Sequence, residues 1–539
     1  LIAISLSPLP IFGLALFSSP KHFFCISILG NSLYFSIIII ASSLTGSLQL
    51  KASLIIAYVL CFLFAKLFPK ADRSKCHILD EKAWLAALAV AFFLLLYCAW
   101  PLCRVGALTD EGVTFRPYFS QDFLKHLTHT QALAKGHWPP RNHYGLGDQL
   151  KYYWSAYVPS ALVFQLIGDR VAAKSVLLAV STFYSLLLAF ACLALALETC
   201  KNAQAAFGAC ILGMGCLSFD GIVGLLMCVN DSSCLTKDFD IIWTDLTQLF
   251  GIQTLPLAVR PFIELCLHLP QHQMAILLFL AWLLSTFDEH LLDYKRMHLI
   301  FVFPFLITSF PIAVLALPAM VLIEIYKGVS KRELLLGSLI VAIAISLFLA
   351  AVAGSIDSKL WGVAGKTVLE IQKVKTESTF TNEQRLLKLL LLLPQVFTGF
   401  GVISFTAFYS VFLSKNGNCK GKRLSLLSTL VLSMAALALA QFVLSSFNCI
   451  ELEMKTSFFL YPILIALSAV TIQHLLLDSH KKTIIALLIL TILGTPTFVL
   501  DYQWRTRKEG AKNLTLSASD YELLYWIKMN TNGDAIVLE

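Results

Sequence analysis

Long apolar runs recur along nearly the whole chain and alternate with short polar segments. Runs at 84–103, 205–229, 335–352, 386–413, 424–447, 458–477 and 483–500 each approach or exceed the length of about 20 residues that an α-helix needs to cross hydrocarbon. The runs are continuous and lack a period of two, which excludes a transmembrane β-barrel. The pattern therefore predicts an all-α polytopic membrane protein with about 12–14 transmembrane helices.

Composition supports this fold class. The 539 residues are 58% hydrophobic and 14% charged, with a mean hydropathy of +0.76, whereas soluble domains carry about a quarter charged residues. The net charge of +8 lies mostly in short loops, where it sets membrane topology, so nucleic acid is not a predicted partner. The 14 cysteines lie mostly inside apolar runs and are interpreted as small core residues.

The basic turns predict how the chain is threaded. If the turns at 66–75, 327–332, 415–423 and 481–482 are cytoplasmic, the loop 104–156 and the tail from 501 lie outside. We therefore divide the chain into N-terminal transmembrane helices (1–103), an outer catalytic loop (104–156) and a transmembrane core (157–500). Residues 501–539 are the start of a small extracytoplasmic α/β domain, which we expect to be truncated. Within it, 517–529 is predicted to be a short amphipathic helix.

The outer loop is the first candidate for chemistry, because a plain connection between two helices needs only a few residues. Its segment 121–135 has few helix breakers, and Asp122, His126 and His129 are spaced i, i+4 and i+7 on one helix face. A carboxylate beside two imidazoles suits a general base. A solvated face of an interfacial helix fits the spacing equally well. The spacing also suits zinc, but without a clear fourth ligand, so we predict no metal and no cofactor.

Other residues of the loop have two interpretations each. Asp110 and Glu111 are either a second acidic pair of functional interest near the membrane or a solvated loop start. Arg141 and Lys151 would bind a phosphate or lie among lipid headgroups. An aromatic cluster would stack on a sugar or belong to the interfacial aromatic belt. Its members are Tyr152, Tyr153 and Trp154.

A second polar group of residues lies at 260–272. Arg260 and Glu264 precede His268 and His272, and both pairs are spaced i, i+4. Ionisable residues at membrane depth cost roughly 2.5–3.5 kcal/mol each on insertion, so they tend to face a cavity. Arg260 would suit a lipid phosphate, and the alternative is a surface pair with Glu264.

Three stretches resemble the GT-C superfamily of integral-membrane glycosyltransferases, in particular its bacterial and archaeal members. The run QDFLKHLTHTQALAKGHWPP, followed by YGLGDQLKYYWSAY, is similar to the first outer loop of that superfamily. The stretch LHLPQHQMAILLFL resembles its His-Pro-His-type start of a middle helix. The tail SASDYELLYWIKMNTNGDAIVLE is similar to its link to an outer globular domain.

The resemblance implies an enzyme that moves a sugar from a polyprenyl-phosphate donor to an acceptor, which is a glycan, a lipid or a protein. Asp122 would deprotonate the acceptor hydroxyl, with Asp110 or Glu111 as the alternative base, and Arg260 would hold the donor phosphate. It also implies a multi-pass protein of the bacterial inner membrane, among membrane lipids, with the active site on the outer face.

Two other functions stay open. A transporter or flippase would carry internal repeats and helices broken near the bilayer midplane. We find no repeat, and the proline-interrupted region 299–326 is the one broken segment that the sequence indicates. A non-catalytic protein of envelope assembly is the third possibility, and only an activity test separates it from the enzyme.

Overall fold

The computed structural model confirms a mostly helical membrane protein. It describes residues 81–103, 105–110, 112–115, 122–137, 154–167, 171–215, 217–229, 259, 261–268, 270–287, 308–326, 382–413, 420–443, 446–478, 481–506 and 514–530, with single positions between 28 and 59. Among these, three helices are long and apolar enough to cross a membrane, or four if one bent pair counts as a span. The larger predicted number of spans stays a prediction.

The helices and strands follow in chain order. The helices are α1 (Glu81–Cys103), α2 (Asp122–Ala134), α3 (Val158–Ile167), α4 (Ala173–Cys200), α5 (Ala203–Met214), α6 (Asp220–Val229), α7 (Phe262–His268), α8 (Pro270–Thr286), α9 (Phe310–Tyr326), α10 (Asn382–Phe400), α11 (Val402–Phe412), α12 (Lys420–Val443), α13 (Ser446–Asp478), α14 (Lys481–Thr506) and α15 (Ala518–Asn530). The strands are β1 (Ala107–Thr109), β2 (Gly112–Phe115) and β3 (Leu514–Leu516), and Trp154–Tyr157 forms a 3-10 turn.

Helix α4 defines the two ends of the bundle. Near its start, Lys174 Nζ donates to the carbonyl of Gly106 beside the sheet, at 2.9 Å. Near its end, Glu198 pairs with Lys422 of α12 at 2.6 Å. We call these the sheet end and the basic end. Helix α14 begins at Lys481 and leads to β3, so its basic first turn belongs to the basic end.

The sheet joins the first loop to the tail. Antiparallel β2 lies between β1 and β3, with Val113 opposite Leu516. Gly112 has φ +125°, and a Cβ there would lie 2.0 Å from the Leu516 carbonyl oxygen, so this approach requires glycine. The sequence analysis predicted no strand in the loop. The loop 104–156 and the tail from 501, which the predicted topology places on one side of the membrane, therefore meet at the sheet end of the bundle.

Two segments that we predicted as continuous spans are broken. The run 205–229 forms α5 and α6, which are separated at 215–219. The run 386–413 forms α10 and α11, which meet at Gly401 with a bend of 112°. Gly401 has φ +56°, a left-handed conformation that glycine adopts without steric strain. Both predictions of an unbroken helix were wrong because hydropathy averages over a break whose residues are themselves apolar or small.

The two breaks contact each other and α14, and we call this contact the break junction. The Val402 amide donates to the Leu217 carbonyl at 3.2 Å, and the Phe219 amide donates to the Thr398 carbonyl at 2.8 Å. Thr497 of α14 donates through Oγ1 to the Ser218 carbonyl at 2.6 Å. Counted along α5, α11 and α14, the junction lies about 15–24 Å from the basic end. A hydrocarbon core is about 30 Å thick, so the junction falls within the thickness of a membrane.

The helix predicted at 517–529 is confirmed as α15, but its predicted apolar face is not buried, because Leu523 and Leu524 are exposed. Its start is a capping box, in which Ser517 Oγ accepts from the Asp520 amide at 3.1 Å and the Asp520 carboxylate accepts from the Ser517 amide at 3.0 Å. The hydroxyl and the backbone N–H of Ser517 lower the pKa of the exposed Asp520 carboxyl below its ordinary value. The sequence alone therefore determines where this helix begins.

We expect Gly401→Ala to lower the thermal stability of the protein. The added Cβ would lie 2.0 Å from the Leu217 carbonyl oxygen and at a left-handed φ, which costs at least about 2 kcal/mol. Gly208→Ala in α5 is the matched control, because its Cβ has no neighbour nearer than 3.8 Å. Unfolding in detergent is measured by the labelling of buried thiols during heating. An equal midpoint for the two variants would contradict the packing described for Gly401.

Candidate functional site

The loop helix predicted at 121–135 is confirmed as α2, and its histidines face the protein. The helix packs against α3, α4 and the 3-10 turn at the sheet end. His126 is 2% exposed and His129 is 4% exposed. The alternative of a solvated polar face is therefore wrong for these two side chains, because α2 lies against the bundle with that face inward.

Tyr157 joins the two histidines and was missed by the sequence analysis. Its hydroxyl is hydrogen-bonded to His126 Nδ1. Its ring stacks on His126 with centroids 5.2 Å apart and meets the edge of His129 at 5.6 Å. Tyr157 is fully buried. Tyr157 follows the aromatic cluster at 152–154. The one feature of the sequence that could have identified it as a site residue was its position at the start of an apolar helix.

His272 brings a membrane helix into the same region. It lies in the first turn of α8, is buried, and its Nδ1 is 2.8 Å from Ser309 Oγ just before α9. Lys125 and His126 of α2, together with Lys455 of α13, are close enough to act electrostatically on its ring. The 3-10 turn also packs against α8. The loop and three membrane helices therefore converge here.

Lys455 and Glu453 were also missed, because we placed residues 448–457 in a turn between two spans. Helix α13 instead begins at Ser446 and continues without interruption. Glu453 is 2% exposed and Lys455 is 6% exposed. Helix breakers are absent between Ser446 and Pro462 in the sequence, which is the signal that could have predicted a helix there.

We call this convergence the sheet-end polar site. Its members are the buried polar side chains described above, which are linked by contacts or, for Lys455, by its electrostatic effect on His272: His126, His129, Tyr157, His272, Ser309 and Lys455.

A proline positions His272 at a helix start. Pro270 has no N–H to donate to the Cys266 carbonyl four residues earlier. Gln273 Nε2 donates to that carbonyl at 2.6 Å instead, and Ser185 Oγ donates to it at 2.8 Å. Gln273 also donates to the Leu265 carbonyl at 2.7 Å. The break between α7 and α8 is thus satisfied by side chains, and the second helix begins beside the polar site.

The other predicted site residues fall in three groups. Trp154 is half-buried and packs against the hydrophobic core, whereas Asp110 lies exposed on the turn between β1 and β2. Asp122 begins α2 and His268 ends α7, but their side chains lie outside the described part of the chain. Six further residues also lie outside it: Glu111, Arg141, Lys151, Tyr152, Tyr153 and Arg260.

The sheet-end polar site combines imidazoles, a phenol, a hydroxyl and an amine in a region shielded from solvent. Histidine moves protons near neutral pH. Lysine binds phosphate as a compact positive charge. The site is therefore chemically suited to binding a polar, anionic group and to proton transfer beside it.

No protein-family model matches this chain, and no curated protein matches it. A fold hosts many functions. The residues of the site and their geometry therefore carry the function.

We expect Gln273→Leu to destabilise the protein, since it removes the amide that donates to the Leu265 and Cys266 carbonyls. A buried carbonyl left without its donor costs about 1–3 kcal/mol. Gln131→Leu on the exposed side of α2 is the control. Thermal unfolding in detergent should show a lower midpoint for Gln273→Leu alone. The bridging role of Gln273 would be refuted if both variants unfolded at the wild-type temperature.

Proposed function

We propose that this chain is a membrane glycosyltransferase that moves a sugar from a polyprenyl-phosphate donor to an acceptor hydroxyl at the sheet end. One observation carries the proposal: the loop helix α2 turns His126 and His129 inward to the region of His272 and Lys455. A loop at the membrane surface and the ends of membrane helices thereby share one buried polar site.

The chemistry needs two kinds of group. The bond between the sugar C1 and the phosphate oxygen breaks, a bond from C1 to the acceptor oxygen forms, and the hydroxyl proton passes to a base. Asp122 is the proposed base, because it lies one turn before His126 on the same face of α2. Asp110 and Glu111 are the alternative carboxylates.

The leaving phosphate gains negative charge and needs a cation. The resemblance assigned this role to Arg260. Lys455 is a second candidate, since it is buried at the sheet-end polar site and acts on His272. His272 would add a hydrogen bond to the phosphate.

The position of the site suits a lipid donor. The sheet-end polar site includes the first turn of α8 and, through Lys455, a position about two and a half turns into α13, so a polyprenyl tail could stay in the bilayer while its phosphate reaches the site. The acceptor would be a glycan, a lipid or a protein on the same side. We place the enzyme in a bacterial inner membrane with this site on the outer face.

Transport is a second candidate function, favoured by the break junction. Many transporters bind their cargo between discontinuous helices at mid-depth. The junction has two such breaks, and Asp220 at the start of α6 is 8% exposed. Intramembrane carboxylates often mark pathways for ions or substrates.

We expect the purified protein in lipid nanodiscs to release labelled sugar from at least one of a panel of radiolabelled polyprenyl-phosphate sugars. A membrane extract supplies the acceptor. Asp122→Asn should lower the rate by about 10²- to 10⁴-fold, because a general base is lost, and Asp110→Asn should not. If Asp110→Asn alone abolishes transfer, the base is misassigned. If wild-type protein releases sugar from no donor, the enzyme proposal fails.

We expect no movement of a fluorescent polyprenyl-phosphate lipid between the leaflets of proteoliposomes that contain the protein. A flippase would move this lipid, and Asp220→Asn would slow it, because the buried carboxylate would be on the path. Asp520→Asn, at an exposed carboxylate on α15, is the control. Lipid movement that Asp220→Asn abolishes and Asp520→Asn does not would favour transport over sugar transfer.

A further inference from the structure

We infer that Tyr157 is a positioning residue, whose hydroxyl holds the His126 ring in one tautomer and one orientation. The effect of Tyr157 on catalysis rests on the proposed function. The tautomer of His126 does not depend on that function. The inference starts from the contact between the Tyr157 hydroxyl and His126 Nδ1, which joins residues 31 positions apart in the chain.

The surroundings of Tyr157 hold its ring firmly. It is the last residue of the 3-10 turn that leads into α3, and this turn packs against both α2 and α8. Its ring stacks on His126 at an interplanar angle of 28° and meets His129 at 60°. The phenol therefore reaches Nδ1 from a fixed direction, which a side chain on a solvated loop would not do.

Acidity decides which atom of this pair donates. An ordinary phenol has a pKa of about 10, and the imidazolium ion has one of about 6.5, so a neutral imidazole nitrogen is a good acceptor. The Tyr157 hydroxyl is the better donor and Nδ1 the better acceptor. Neutral His126 then carries its hydrogen on Nε2. That nitrogen is the one through which His126 would exchange a proton with a ligand or a neighbouring residue.

The experiment follows the ring nitrogens of His126 directly. The full chain is labelled with ¹⁵N-histidine, placed in nanodiscs and measured by solid-state NMR, and His126→Gln identifies the signal by its loss. We expect wild-type His126 to be protonated on Nε2, with a hydrogen-bonded Nδ1. In Tyr157→Phe, which keeps the ring but lacks the hydroxyl, the Nδ1 signal should shift. Tyr184→Phe, at another buried tyrosine on α4, should leave it unchanged.

Two results would overturn the inference. One is a wild-type His126 protonated on Nδ1, and this result is decisive even if Tyr157→Phe does not fold. The other is an Nδ1 signal that Tyr157→Phe leaves unaltered.

The transfer assay tests the consequence for catalysis separately. Tyr157→Phe should lower kcat on the order of tenfold with little change in KM, because the fixed orientation of an imidazole beside the proposed base is lost and binding is not. If the NMR signature is present and no sugar is transferred, the proposed function fails and the role of Tyr157 stands. If sugar is transferred and the signature is absent, this inference fails alone.

Discussion

The bilayer offers no water to backbone groups that leave a helix, and this constraint governs the centre of the molecule. Each of the two helix interruptions at the break junction is bonded by another helix: the Val402 amide donates to the Leu217 carbonyl, and the Gly221 amide donates to Thr497 Oγ1 at 2.8 Å. These bonds need very close backbones. A Cβ on Gly401, Gly221 or Gly494 would lie 2.0–2.7 Å from a neighbouring backbone atom. The glycines and the broken helices therefore depend on each other.

The same constraint shapes the sheet end. Pro270 removes a donor from the backbone, and Gln273 and Ser185 replace it. Once the helix restarts there, His272 in its first turn lies beside Ser309. Buried ionisable groups are less costly near a helix start close to the interface than at the membrane centre. The break between α7 and α8 is thus a structural condition for the polar site, independent of what the site binds.

Sequence patterns predicted the parts of this structure that depend on local spacing. The bounds of α2 were predicted from few helix breakers and those of α15 from the spacing of its apolar residues, and the shared face of Asp122, His126 and His129 follows from helical geometry. Burial of that face could not be predicted, because it depends on Tyr157, which lies 31 residues from His126. The pairing between β2 and β3 could not be predicted either, since it joins distant parts of the chain: Thr114 and Thr515 are 401 residues apart.

The packing of the break junction bears on the choice between sugar transfer and transport. A transport path must connect both ends of the bundle, whereas a transferase needs one accessible site at one end. The junction has no room for a methyl group at Gly401, Gly221 or Gly494, and a Cβ added to Gly213 of α5 would lie 2.4 Å from the side chain of Ile465. Opening a path here would separate α11 and α14 from the segment around Leu217 and break the bonds that satisfy their backbones. In this arrangement the junction supports the fold, and the polar side chains to which we assign the proposed chemistry lie at the sheet end.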